Sequence, residues 1–328
     1  MEFSFDSFLD GSFDLDRQTG AHTCLWLREE KAEIGAGRLT KHDIDRLRDF
    51  PELSVVTVSG LRQDTFEYLI HTYGAQLRAI RFFKNKYVED WSLLGTLPQL
   101  EYIDFYGNQR ITGLWDMTGN TALSGLSIMD FTRLTSLEGI AKAPALKQLR
   151  VGNVNPLRAR MILESLSPLA GSGIETLCFC GKDLIDRDLS FLAGMPHLKV
   201  FDFPANLYGT EEVAWIAANF PFLTGYAIKP YLDFTEKNLE GDETRKVVGM
   251  RKPKLPFPGN EERLRRYAEA FETLTERYKG VSYADAFKKK RQTRRRITLA
   301  RRKKRAAKQT KRKIGRKTKR LLKESKNQ

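Results

Sequence analysis

Three cysteines in 328 residues, Cys24, Cys178 and Cys180, are too few for a disulfide framework. The histidines are His22, His42, His71 and His197, scattered without ligand spacing, so no metal site is expected and no cofactor is implied. No apolar run approaches the ~18 residues of a membrane span. A Gly-rich phosphate loop, a nucleophile elbow and an H-E-x-x-H pair are missing, which removes the common enzyme signatures. The opening stretch, MEFSFDSFLDGSFDLD, carries acids where a secretory signal needs basic residues and an apolar run. The expectation is a non-enzymatic, cytoplasmic protein with free thiols.

What the chain has instead is a returning phrase: a hydrophobe, two variable residues, then hydrophobe–x–hydrophobe. It reads LSVVTV from Leu53, LRAIRF from Leu77, LEYIDF from Leu100 and LSGLSI from Leu123. It continues as LKQLRV from Leu146, IETLCF from Ile174, LKVFDF from Leu198 and LTGYAI from Leu223. Successive phrases are 24, 23, 23, 23, 28, 24 and 25 residues apart. A fixed period in this range makes the molecule a quasi-one-dimensional stack whose product is a surface.

Two features recur at fixed offsets. A proline stands two residues before the leading hydrophobe at Pro51, Pro98, Pro144, Pro196 and Pro221. It fixes φ and stops any preceding helical turn, so the strand begins after it. Asparagine stands eight residues after the leading position at Asn85, Asn108 and Asn206, with Asn153 one place early. Leu61, Phe131, Lys182 and Tyr231 fill that slot elsewhere, so the series is incomplete.

This combination resembles the leucine-rich repeat family, over about 50–230 of the chain. The resemblance implies an α/β solenoid: a right-handed superhelix with a parallel concave sheet and short helical or 3₁₀ convex segments. It also implies that the asparagine amide is buried and bonds backbone where the strand turns away. Repeats of about 23 residues look like the bacterial kind of such proteins. Some bacterial effectors of this kind carry a cysteine-dependent ubiquitin ligase behind the repeats, but no cysteine lies beyond Cys180 here.

Around the array we expect an N-terminal arm and cap over 1–50, a linker and C-terminal capping helix over 231–282, and a disordered tail over 283–328. Within the cap, 23–33 reads as a strand and 39–50 as a helix with Thr40 as N-cap and Asp43 three residues on. Helices are also expected from Asp64, from Thr210 to Phe220, and from Leu157 to Leu169. Leu264, Tyr267, Phe271, Leu274 and Tyr278 form one apolar stripe, read as a capping helix or a dimerisation seam.

In a strand the side chains alternate faces, so residues between the hydrophobes of each phrase point to the concave side. That places Arg81 and Phe83 beside Tyr102, Asp104 and Tyr106, then Met129 and Arg150. Exposed aromatics flanked by arginine are the composition of interface hot spots. A protein partner is therefore expected over the N-terminal half of this face. The C-x-C of Cys178 and Cys180 should project side by side as free thiols, with no ligands beside them for a metal.

Net charge is +15, but it is not spread over the chain. From Ala286 onward there are 22 Lys and Arg against one acid, Glu324, and the rest of the chain holds 34 basic and 40 acidic residues. The runs are Lys288, Lys289, Lys290 and Arg291; Arg294, Arg295 and Arg296; Arg301, Arg302, Lys303, Lys304 and Arg305; and Lys311, Arg312 and Lys313. Too few apolar residues accompany them to bury a core. Nucleic acid, RNA or DNA, is the expected partner, with an acidic protein as the alternative. Sparse apolar residues argue against a membrane surface.

Overall fold

A computed structural model describes residues 25–29, 34–154, 161–181, 183–232, 236–237 and 243–288. The chain divides into two units, Met1–Val281 and Ser282–Gln328. The expected arm over 1–22 and nearly all the basic tail lie outside the described residues.

Eight strands make one sheet in chain order, every neighbouring pair parallel. They are β1 Leu25–Leu27, β2 Val55–Val58, β3 Ala79–Phe83, β4 Tyr102–Tyr106, β5 Gly125–Met129, β6 Gln148–Gly152, β7 Thr176–Cys180 and β8 Val200–Asp202. Each pass of the chain therefore adds one strand beside the last, which is the topology of a leucine-rich-repeat solenoid. The phrase explains the stacking. Its three hydrophobes are buried in each of the seven repeats from Leu53 to Phe203, and register places them side by side, as in Ile80–Ile103–Leu126–Leu149–Leu177.

The eight strands are not the eight phrases. Leu25–Leu27 pairs with Val56–Val58 and opens the sheet, so the expected N-terminal strand is part of it. At the other end LTGYAI makes no strand: only Thr224 bridges to Val200, and Tyr226 is 41% exposed where the pattern predicts an inward side chain. The Asp202 carboxylate accepts from the Tyr226 N–H at 2.9 Å, and the chain turns through Gly225 to Ile228 instead of extending.

At the end of the strand the backbone turns left-handed in four successive repeats, at Gly60, Lys84, Gly107 and Asp130 (φ 78°, 55°, 75° and 61°). The turn swings the next residue under the sheet. Asn85 there donates to Val58 O and accepts from Leu61 N, both at 2.9 Å, and Asn108 donates to Asn85 O at 3.0 Å. Asn153 is also buried, donating to the Asp130 carboxylate at 2.9 Å. Asn206 is a correction, because it is exposed. β8 ends after three residues, and Leu207 is buried instead.

A second amide series lies on the other side of each strand. Gln76 donates to Phe50 O and Leu53 O, Gln99 to Gly74 O and Leu77 O, and Asn120 to Leu94 O and Leu97 O. Each amide ties two carbonyls of one turn to the next repeat, adding a second donor where the carbonyl already closes its own turn, as at Phe50 O, Gly74 O, Leu94 O and Leu97 O.

The convex side is mostly 3₁₀ turns: Ser92–Thr96, Ile140–Lys142, Ser167–Leu169 and Ser190–Gly194. The exceptions are α1 (Lys41–Ile44), which runs into a 3₁₀ turn over Asp45–Asp49, then α2 (Gln63–Tyr73) and α3 (Thr210–Asn219). The expected capping box is present at α1, where Thr40 and Asp43 exchange backbone and side-chain bonds. The expected helix over 157–169 does not form across 161–169, and 157–160 lie outside the described residues. Leu163 instead bridges to Leu184, and Glu164 N donates to Thr135 O at 2.7 Å, so these backbone groups bond sideways to neighbouring repeats.

The stretch expected as a linker holds a small antiparallel sheet, β9 (Glu236–Lys237), β10 (Glu243–Lys246) and β11 (Lys254–Pro256), ordered β11-β10-β9. Helix α4 (Glu261–Tyr278) follows and packs on α3. Leu264 sits with Val247 and Leu255, and Phe271 and Tyr278 are also buried. The stripe is thus buried against residues of the same chain. Trp215 Nε1 donates to Val281 O at 2.7 Å, and Asn219 Nδ2 to Tyr278 O at 3.0 Å. In the second unit, α5 (Tyr283–Ala286) starts on Ser282, whose hydroxyl accepts from Asp285 N. Among the described residues no helix is long and apolar enough to cross a membrane.

Candidate interaction face

Strand register converts the phrase into rows across the sheet. One row runs Trp26, Thr57, Arg81, Asp104, Ser127, Arg150, Cys178 and Asp202. The next runs Phe83, Tyr106, Met129, Gly152 and Cys180. A third contains Ala79, Tyr102, Gly125, Gln148 and Thr176. Parallel strands lie ~4.8 Å apart, so row neighbours are in side-chain contact.

The structure brings the predicted aromatics together. Phe83 and Tyr106 stack with centroids 4.9 Å apart and planes 17° from parallel. Trp26 sets its edge against Phe83 at 6.3 Å and 85°, extending the cluster to the first strand. All three rings are half-buried, as is Tyr102. Cations flank the cluster, with Arg28 5.1 Å from the Trp26 ring and Lys84 5.2 Å from that of Phe83.

The polar row pairs two of its charges with each other. Arg81 Nε donates to Asp104 Oδ2 at 2.7 Å, and Asp104 is only 6% exposed. Met129 is 3% exposed, so it supplies floor under the aromatic row and little free area. Along the rim before the strands, Arg78 pairs with Glu101, and Glu175 bridges Lys199 at 2.6 Å and Lys147 at 3.7 Å. The Lys199 bond and charge, followed by Lys147, hold the Glu175 carboxyl below its ordinary range.

Cys178 and Cys180 are free thiols, half-buried, with sulfurs 3.4 Å apart. The hydrogen bond from Cys178, with Arg150 beside it, brings the Cys180 thiol down to about 6, while the same bond and burial push Cys178 up. No cluster of His, Cys, Asp or Glu among the described residues could hold a metal ion. Of the predicted tail cations, Lys288 alone is described, and it is exposed. Lys289 to Lys313 lie outside the described residues.

Trp26 is the member of the face that the sequence pattern missed. Register makes His22 the leading residue of its phrase, 31 residues before Leu53, so a search anchored on a leading leucine passes over it. The hydrophobe–x–hydrophobe of Leu25 and Leu27 was the available signal.

Strand order, register and buried phrase together give the fold of a leucine-rich-repeat solenoid with an aromatic concave face. No protein-family model matches the chain, and no curated protein matches it. Among solved structures it is similar to an internalin (inlF) from Listeria monocytogenes str. 4b F2365, at 22% identity and a TM-score of 0.40, over 55% of this chain and 48% of that one. It is also similar to Listeria monocytogenes InlP, at 14% identity and a TM-score of 0.34, over 63% of this chain and 61% of that one. The chain thus spans about half to three-fifths of the length of these structures.

Proposed function

We propose that this chain is a non-enzymatic recognition module that binds a protein partner through the N-terminal half of its concave face. The observation that carries this reading is the half-buried cluster of Trp26, Phe83 and Tyr106. A protein surface that keeps three large rings partly in water on a rigid sheet loses hydrophobic stabilisation unless something covers them. Rigid aromatics bordered by Arg28, Lys84 and Tyr102 make contact area at low entropic cost, the property of hot spots. The basic tail, in this reading, tethers the complex to a polyanion, supported by its 22 cations against one acid.

The test is a pull-down of the full chain against Phe83→Ala/Tyr106→Ala and against a chain ending at Ser282, each with and without nuclease. Recognition by the repeats predicts a discrete partner that survives truncation and nuclease and is lost with the two rings. If every partner vanishes with the tail or the nuclease, the repeats are scaffold for a nucleic-acid-associated protein.

A further inference from the structure

Two of the chain's three cysteines stand on the face used for surface and not in the core, since Leu177 and Phe179 between and beside them are the buried residues of β7. Their sulfurs are 3.4 Å apart. Residues two apart on a strand are ~6.5 Å apart and a disulfide needs Cβ atoms ~3.8 Å apart, so closure has to bend β7 beyond Cys178, where its ladder with β8 has already ended. The surroundings leave Cys180 open. Its partner across the ladder on β6 is Gly152, which lacks a side chain, and the β7–β8 ladder ends at Cys178–Asp202, before Cys180 is reached. Gly152 is also required there: its φ is +149°, and a Cβ would lie 2.5 Å from the Cys180 carbonyl carbon.

The two thiols are not equivalent. Arg150 on β6 lies beside Cys180 and favours its thiolate, which also accepts the Cys178 S–H. Asp202 on β8 and the Tyr226 phenol face the pair from the other side, and Asp202 disfavours ionisation of either sulfur. The result is one nucleophilic sulfur next to one protonated sulfur, the arrangement of a reactive cysteine with a resolving partner.

We propose that Cys178 and Cys180 form a reversible dithiol–disulfide site that hydroperoxides oxidise. The Cys180 thiolate attacks one peroxide oxygen. An S–O bond forms, the O–O bond breaks, and the departing alkoxide or hydroxide takes a proton from solvent. The product is Cys180 sulfenic acid, oxidised by two electrons while the peroxide is reduced. The Cys178 sulfur then attacks Cys180. The S–S bond forms, the S–O bond breaks, and the hydroxyl leaves as water with the Cys178 proton. Thiol reductants return the pair to the dithiol by exchange.

The experiment uses the full reduced chain and hydrogen peroxide, with thiol counting and peptide mass mapping. The expected result is loss of two thiols and two hydrogen masses within the one peptide holding Cys178 and Cys180, reversed by dithiothreitol, while Cys24 reacts more slowly. Cys178→Ala is expected to stop at a sulfenic acid that dimedone traps at Cys180. Cys180→Ala is expected to slow thiol loss by about tenfold or more. Circular dichroism of both variants confirms that the repeats remain folded, and Arg150→Gln, which leaves both sulfurs in place, is expected to slow the first step if a variant of either cysteine does not fold. The proposal is overturned if Cys24 is oxidised as fast as Cys180, or if the pair ends as separately oxidised sulfurs with no bond between them.

Discussion

Trp26 meets Phe83 edge-on, 6.3 Å between centroids, although 57 positions separate them and no strand joins them directly. Register sets Trp26 opposite Thr57 and Thr57 opposite Arg81, two residues short of Phe83, so the indole reaches diagonally across the second strand to the Phe83–Tyr106 stack. Trp26→Ala is expected to weaken partner binding by on the order of 2 kcal/mol, about thirtyfold, while thermal unfolding moves much less. Titration of the captured partner against both forms checks it. Equal affinities would remove Trp26 from the face.

Asn85 and Asn206 occupy the same place in the repeat and should behave oppositely. Asn85→Ala removes the acceptor of the buried Leu61 N–H and a donor to Val58 O, at a cost of roughly 2–4 kcal/mol. Asn206→Ala alters an exposed side chain and should stay within about 0.5 kcal/mol. Urea denaturation of the two variants decides the matter, and similar midpoints would refute the contrast.

Asn120 points its amino group at Leu94 O and Leu97 O while its carbonyl accepts from Trp115 Nε1 at 2.9 Å. Asn120→Asp keeps size and the indole bond but sets a carboxylate against two carbonyls. It is expected to destabilise more than Asn120→Ala, by about 3 kcal/mol or above. Denaturation midpoints that rank the two in the other order would show that the amide contributes volume, not donors.

Asp45 accepts hydroxyl bonds from Tyr73 and Tyr68, both at 2.7 Å, which hold its carboxyl below the ordinary 3.8. A carboxyl lowered on folding contributes stability above its unfolded value, and loses that contribution as pH falls through the lower folded value. The melting gap between wild type and Asp45→Ala should therefore be full at pH near 7 and close below about pH 4. An unchanged gap in acid would mean the tyrosines pack without the charge.

Salt offers a check on the tail. If a third of its cations meet phosphate, log K for a polyanion should fall against log salt with a slope on the order of −5 to −6. Fluorescence anisotropy with labelled single-stranded RNA and duplex DNA measures it for each. A slope near zero would exclude the tether.

Legibility in the sequence followed the physics of the period. Leu53 to Phe203 could be read because seven copies of one pattern reinforce each other, and each copy must bury the same positions. The ends could not. Leu25–Leu27 has His22 in place of its leading hydrophobe, and Leu223–Ile228 carries the full phrase yet has no strand beyond it to demand extension. Within the site, the facing of Phe83, Tyr106 and Arg81 followed from alternation alone, whereas the burial of Met129 and Asp104 depends on neighbours in other repeats.

The amino-acid sequence by itself determined the repeat, the inward and outward residues of the central strands, and the concentration of positive charge after Ala286. These are properties of local pattern, because a two-residue alternation and a period near 23 need no knowledge of what lies across the sheet. Tertiary structure alone decided which amides tie one repeat to the next, that Trp26 joins the aromatic stack, and that Cys180 faces the bare backbone of Gly152 beside Arg150. Those relationships link residues about a repeat or more apart, and they exist only once stacking has set the register.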